Sequence, residues 1–572
     1  MLLTQNCKTL LVLVILACSV LFSAQAQTTT TPANPEAPFD GTISGSAVNE
    51  TGQALAGVTV FVRDTSANGI QRSTITGPDG NFRLKGLAPG LYLVSGFLPA
   101  YVMPATDPNA PENRFRVGDT VRLDLVKGGV ITGTVNNAAG EPVIGVRVRA
   151  MMVRDPKSQT PLFYASNEQP TDDRGVYRMY GLAPGTYIVS AGGGSSQPFS
   201  VTAFDSDIPT FAPSTTRDNA VEINVRPGEE NTVDIRYRGE PGHAISGTAK
   251  LSANSGSSIT VLMAGTFIPI ASTFQPTGNR GFAFHGMADG EYDLVAQEVT
   301  QVPGSQTPQI MISDRHRVVV KGADVTGIEL VPRPLAALNG RFVLEPSKEP
   351  ACQGKRRPLF AETFVSLQRP DKEKDKDAFS FMRILSGSGS PDAKGDFFVR
   401  NLAPGRYLLE PYFHARYWYL DSIIISGPPR IDAAANWTTL KPGNQPGTFT
   451  ITLAEGAASI RGRLTKSEGD ELPAGLGVYL VPAERERALD VLRYFVTPVA
   501  ADGTFAFNNL PPGRYFTLQQ TLDPETSTPA KLRLPESAEA RTKLRRKAET
   551  QKSELQLKPC QNLTEHQLPV KQ

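Results

Sequence analysis

Asp79-Gly80-Asn81-Phe82-Arg83-Leu84-Lys85-Gly86-Leu87-Ala88-Pro89-Gly90-Leu91-Tyr92 is a phrase that this chain repeats, and the repetition constrains the fold more than any other feature. Its relatives are Arg174-Gly175-Val176-Tyr177 with Gly181-Leu182-Ala183-Pro184-Gly185-Thr186-Tyr187, and Gly281-Phe282 with Gly286-Met287-Ala288-Asp289-Gly290-Glu291-Tyr292. Two more follow: Lys394-Gly395-Asp396-Phe397 with Asn401-Leu402-Ala403-Pro404-Gly405-Arg406-Tyr407, and Asp502-Gly503-Thr504-Phe505 with Asn509-Leu510-Pro511-Pro512-Gly513-Arg514-Tyr515. A phrase that returns at roughly domain-sized intervals, about a hundred residues, is the mark of one small domain used in tandem.

Each copy has a physical reading. Asp-Gly favours a tight turn with positive φ, and Phe82 and Leu84 alternating with Arg83 and Lys85 make a half-buried strand. Pro-Gly then turns the chain into the next strand. The closing tyrosine is expected to anchor the core with its hydroxyl on a backbone partner.

A second signature opens each unit: Ile43-Ser44-Gly45, Ile131-Thr132-Gly133, Ile245-Ser246-Gly247, Leu338-Asn339-Gly340 and Ile460-Arg461-Gly462. Alternating strands follow, as at Val58 to Val62 and Val478 to Val481, and closing strands such as Val121 to Leu125 and Phe449 to Leu453 precede the next opening. Short alternating strands with frequent turn signals predict an all-β chain of about five antiparallel β-sandwich domains, with 51 Gly and 46 Pro supplying the turns. The units read as 40–127, 128–239, 240–334, 335–456 and 457–572. The last carries a short helix, since Ala540, Leu544 and Ala548 fall four apart after Pro535, and Glu554 to Leu557 alternate like a returning strand; both are expected to dock on the fifth sandwich. Short linkers such as Lys127-Gly128-Gly129 predict an elongated, partly flexible array with small interfaces between neighbours.

The N-terminus implies export. Lys8, an apolar run at 10–22 and Ala24-Gln25-Ala26 read as a signal peptide over 1–26, followed by a flexible leader at 27–39. A lipoprotein cut before Cys18 is the weaker alternative, because the apolar run continues beyond that cysteine. No later stretch is long and apolar enough for a spanning helix, so the mature chain is expected in the periplasm, on the outer surface or outside the cell. Cys352 and Cys560 are the cysteines left after cleavage, and they are read either as a disulfide or as two separate thiols.

The recurrent Gly-x-Phe-x-x-x-x-Leu-x-Pro-Gly-x-Tyr phrase, with its upstream strand, resembles the carboxypeptidase regulatory-like domain. The resemblance implies a transthyretin-like or Ig-like sandwich, related to B-type collagen-adhesin repeats and starch-binding-like folds. It runs through residues 40–525 and weakens in the third copy, where Met287-Ala288-Asp289 replaces Leu-Ala-Pro. The layout also resembles multi-repeat exported proteins of soil acidobacteria.

Motifs for chemistry are missing from the sequence. None of His243, His285, His316, His414 and His566 has Glu three residues on, and no nucleophile elbow, phosphate loop or EF-hand loop occurs. No catalytic residue, metal or cofactor is therefore assigned. Isopeptide cross-links, which the collagen-adhesin likeness raises, are not expected: only Tyr407-Leu408-Leu409-Glu410 approaches the required strand. The mixed-charge loop at 372–377 reads as solvated, and with 58 basic against 56 acidic residues nothing points to nucleic acid.

For recognition, the densest feature is the aromatic run holding Tyr412, Tyr417, Trp418 and Tyr419, with Trp437 nearby. Two readings stand: strand residues filling the core of the fourth domain, or exposed rings that stack on sugars. The chain is thus expected to be a non-enzymatic binding or spacer protein. Its partner would be a polysaccharide or a cell-envelope protein. The alternatives are carbohydrate binding through those rings and an enzyme with an unrecognised carboxylate site.

Overall fold

The computed structural model describes residues 41–65, 69, 71–104, 113–154, 167–194, 202–252, 255–266, 268–275, 281–300, 308–368, 389–426, 437–441, 443, 447–465, 472–473, 475–522 and 537–570. The signal peptide, the leader, Cys18, Pro535 and the charged loop at 372–377 lie outside them.

One plan recurs five times. The opening strand Gly41–Val48 lies between Asn81–Leu87, which is antiparallel to it, and Thr120–Asp124, which is parallel. Gly129–Asn136, His243–Ala249, Ala336–Glu345 and Ala458–Thr465 hold the same central place in their own sheets. The parallel pairing is invisible to the alternation pattern, because both orientations share a side-chain period of two. A second, antiparallel sheet faces the first: Thr59–Asp64 between Gln71–Ile75 and Leu91–Phe97 in the first sandwich, Leu476–Pro482 between Phe495–Pro498 and Gly513–Thr521 in the fifth. Each sandwich has its own core. In the first, Ile43, Phe82 and Leu123 from one sheet meet Val60, Val62 and Tyr92 from the other.

The repeated phrase builds the same local device each time. The residue before its Leu or Met sits in the left-handed region: Gly86 at φ 73°, Gly181 at 70°, Gly286 at 71°, Asn401 at 58° and Asn509 at 55°. There the strand slips register against the opening strand, a β-bulge that needs a residue tolerant of positive φ. Six residues later the tyrosine turns its hydroxyl back. Tyr92 donates to the Ala88 carbonyl at 2.7 Å, Tyr187 to Ala183 at 2.8 Å, Tyr292 to Ala288 at 2.8 Å, Tyr407 to Ala403 at 2.8 Å and Tyr515 to Pro511 at 2.9 Å. The bond staples the Pro-Gly turn onto the core, with the hydroxyl satisfied where the ring is buried.

The C-terminal helix Ala538–Thr550 begins at Ser537, whose side chain accepts from the Ala540 amide at 3.1 Å. Leu544 and Ala548 pack on the outer face of the fifth sandwich against Val481, Tyr494 and Leu518. Glu554–Leu557 extends that same sheet alongside Gly513–Thr521. The chain then supplies the closing strand Asn562–Pro569, parallel to Ala458–Thr465.

Candidate functional site

In the last three copies the positive-φ residue of the phrase also meets the preceding sandwich. Asn401 accepts the Ile310 amide at 3.0 Å and donates to the Pro308 carbonyl at 3.1 Å, joining the fourth sandwich to the third. Asn509 donates to the carbonyls of Ala415 and Trp418 at 2.8 and 2.7 Å, joining the fifth to the fourth. At Gly286 a Cβ would lie 2.5 Å from the carbonyl oxygens of Asp205 and Asp207, so there the backbones themselves are in contact.

The joint between the fourth and fifth sandwiches is the most heavily built. Cys352 and Cys560 are disulfide-bonded, with Cα atoms 5.4 Å apart. Arg416 donates to the Asn562 Oδ1 at 3.0 Å, and the Asn562 Nδ2 donates to the Tyr417 hydroxyl at 3.3 Å. Arg493 donates to Asp421 at 2.9 Å and lies 5.4 Å from the centre of the Tyr419 ring. A polar cleft of about 200 Å³ opens beside this pair, walled by Tyr419 and Asp421 from one sandwich and by Pro482, Glu484, Arg487, Pro512 and Arg514 from the other. Burial, then the Asp421 carboxylate, pushes the Tyr419 phenol up from its ordinary pKa, so this hydroxyl stays protonated at neutral pH.

The aromatic run is not one strand. Tyr412 ends the strand Gly405–Tyr412 of one sheet, and Trp418 begins Trp418–Ser426 of the other, with a turn between them closed by the Trp418 amide on the Ala415 carbonyl at 3.2 Å. The crossover sends the rings to different places. Trp418 is wholly buried in the fourth core and presents nothing to a ligand; its Nε1 finds no acceptor among the described residues. Tyr412 stacks on Phe364, with centroids 4.8 Å apart, and the guanidinium of Arg114 lies 4.1 Å from the Phe364 centre. Arg114 belongs to the first sandwich, so contacts extend beyond consecutive neighbours. His414 lies at the same joint, where burial and then Arg116 hold its imidazole below the ordinary pKa. Trp437 lies on the edge strand Trp437–Leu440 beneath Arg406, 4.2 Å from the ring centre. Tyr417 and Tyr419 each reach the joint with the fifth sandwich, Tyr417 through Asn562 and Tyr419 through Arg493.

The remaining candidates resolve simply. Glu410 is met by Gln368 and by the Tyr412 hydroxyl, a polar pairing within one sandwich. Among the described residues no group of three or more His, Cys, Asp or Glu side chains is placed to hold a metal ion, and no helix is long and apolar enough to cross a membrane. The interdomain role of Asn401 and Asn509 was missed in the sequence. Its signal was the Asn that replaces Gly at one position of the last two copies.

No curated protein matches the chain. Among solved structures, the TIE protein of Bacillus anthracis is similar at 14% identity over 52% of this chain and 51% of its own, with a TM-score of 0.14, so the chain spans about half of that protein. The minor pilin GBS52 of Streptococcus agalactiae is similar at 11% identity over 35% of this chain and 96% of its own, with a TM-score of 0.20. BcpA, the major pilin subunit of Bacillus cereus, is similar at 12% identity over 51% of this chain and 99% of its own, with a TM-score of 0.14. The resemblance carried by the repeated phrase is met in the first sandwich, where residues 42–125 match the carboxypeptidase regulatory-like domain family.

Proposed function

We propose that this chain is an exported, non-enzymatic scaffold whose sandwiches hold one another, and whatever they carry, at fixed separations. The joint between the fourth and fifth sandwiches carries this reading. A disulfide, an Asn509 splice to two carbonyls and the Arg493–Asp421 pair converge there, and connections of that density exceed what a flexible linker needs. Each sandwich keeps its own core, so the joints serve placement rather than folding of the units.

Spin labels on the fourth and fifth sandwiches test it. A single narrow distance distribution, unchanged by added glycan or peptide, is expected. A broad distribution in the oxidised protein would overturn the scaffold, as would turnover of any glycan or peptide library by the pure chain.

A second reading, glycan recognition by the rings of the fourth sandwich, is favoured by one observation: Tyr419 lines a cleft that mixes guanidinium donors with carboxylate acceptors. A cell-envelope protein is the other partner class compatible with a scaffold.

A further inference from the structure

The cleft between the fourth and fifth sandwiches goes unused by the scaffold reading. We infer that it takes one neutral sugar ring, the terminal unit of a glycan, an assignment that rests on the second reading, glycan recognition, and deepens it. Its volume of about 200 Å³ falls below the roughly 300 to 1,000 Å³ of sites for drug-sized ligands, and the cleft opens to solvent, so it holds one ring while the rest of a glycan stays outside.

The lining selects the chemistry. Arg487 and Arg514 stand at the rim with their side chains 49% and 53% exposed, each offering N–H donors beyond those spent on Asp490 and Glu554 at 3.4 Å. Asp421 and Glu484 supply acceptors, while Pro482, Pro512 and Tyr419 add only a small apolar share to a mostly polar wall. A sugar hydroxyl both donates and accepts, and a ring carries an apolar face, so a sugar uses all three kinds of surface. A free oxyanion uses only the arginines. It would also meet Asp421 and Glu484, and the pairings of Arg493 with Asp421 at 2.9 Å and Asp490 at 3.6 Å leave little net positive charge to hold it.

Arg493 lines the cleft at 7% exposure, with its Nε closed off from solvent and 3.6 Å from the Asp490 carboxylate. Because Tyr419 and Asp421 come from one sandwich and the arginines from the other, the site exists only while the joint is closed.

The test is saturation-transfer NMR and calorimetry on the full chain, with glucose, galactose, N-acetylglucosamine and sodium sulfate as probes. Binding of at least one neutral monosaccharide is expected, weakened tenfold or more by Arg514→Gln and by Tyr419→Ala. Arg514 is half exposed, so its variant tests the site without threatening the fold. Sulfate binding without sugar binding would overturn the inference in favour of an anion site. Sugar binding untouched by both variants would move the site elsewhere and leave the glycan reading standing, whereas no binding of any monosaccharide or of a soluble glycan array would remove both.

Discussion

Gly286 and Asn509 occupy the same place in the phrase and share a left-handed backbone, yet they seal their joints in opposite ways. At Gly286 the third sandwich meets the carbonyls of Asp205 and Asp207 from the second so closely that a Cβ has no room. At Asn509 the backbones stand further apart, and the amide side chain spans the gap to Ala415 and Trp418. Asn is suited to both demands, because it tolerates positive φ and carries a short donor and acceptor. One bulge therefore serves either as a close backbone contact or as a polar splice, and the spacing between sandwiches decides which.

The disulfide should give the largest effect. Cys352→Ser is expected to lower the stability of the fourth and fifth sandwiches by about 2 to 4 kcal/mol while leaving the first and second unchanged. Calorimetry of the full chain resolves this, and a uniform shift of every transition would show that the joint is not a local device. Gly286→Asn comes next. Forcing a side chain where Cβ alone would sit 2.5 Å from two carbonyls should cost about 1 to 3 kcal/mol, with faster amide exchange around Asp207. A neutral outcome would erase the distinction between the two joints.

Asn509→Gly keeps the backbone conformation and removes only the splice, so a loss of about 1 to 2 kcal/mol is expected, confined to the fourth and fifth sandwiches. If Asn509→Ala cost no more than Asn509→Gly, the positive φ would carry no weight, contrary to the bulge argument. Tyr407→Phe, by contrast, should cost about 0.5 to 1.5 kcal/mol inside one sandwich and leave the joints alone.

The smallest effect at neutral pH belongs to the same tyrosines. Burial, then Asp64, pushes Tyr92 up to about 12, and burial, then Asp289, does the same for Tyr292. The folded state keeps these protons after the unfolded chain has released them near pH 10. Their contribution is therefore whole below about pH 10 and fades as pH rises towards 12, in the first and third sandwiches. A tyrosinate step near pH 10 that disappears in Tyr92→Phe or Tyr292→Phe, without unfolding, would contradict it.

Most of the fold was legible in the phrase, because its alternation, its Asp-Gly turns and its Pro-Gly turns are local signals that act within a few residues. The stapling tyrosine was legible for the same reason: its partner lies four residues away. The aromatic run was not. Read as one strand, Tyr412 to Tyr419 offers an alternating face, but a turn at Ala415 transfers the chain between sheets and sends Tyr412, Trp418 and Tyr419 to three environments. The closing strand Asn562–Pro569 was missed because it buries only Leu568 and lacks the apolar alternation that marked the earlier closing strands.

The sequence by itself thus determined the repeated unit: its strands, its bulge and its stapled turn, each set by side-chain period and by residues that tolerate a particular φ. Only the tertiary structure decided what lies between the units. Whether Asn509 finds carbonyls, whether Cys352 reaches Cys560 across 208 residues, and whether Arg114 covers Phe364 three sandwiches away depend on distances that loop closure sets and local propensity does not encode. The polar cleft belongs to that second class, since two sandwiches with separate cores must meet before Tyr419 can face Arg487 and Arg514.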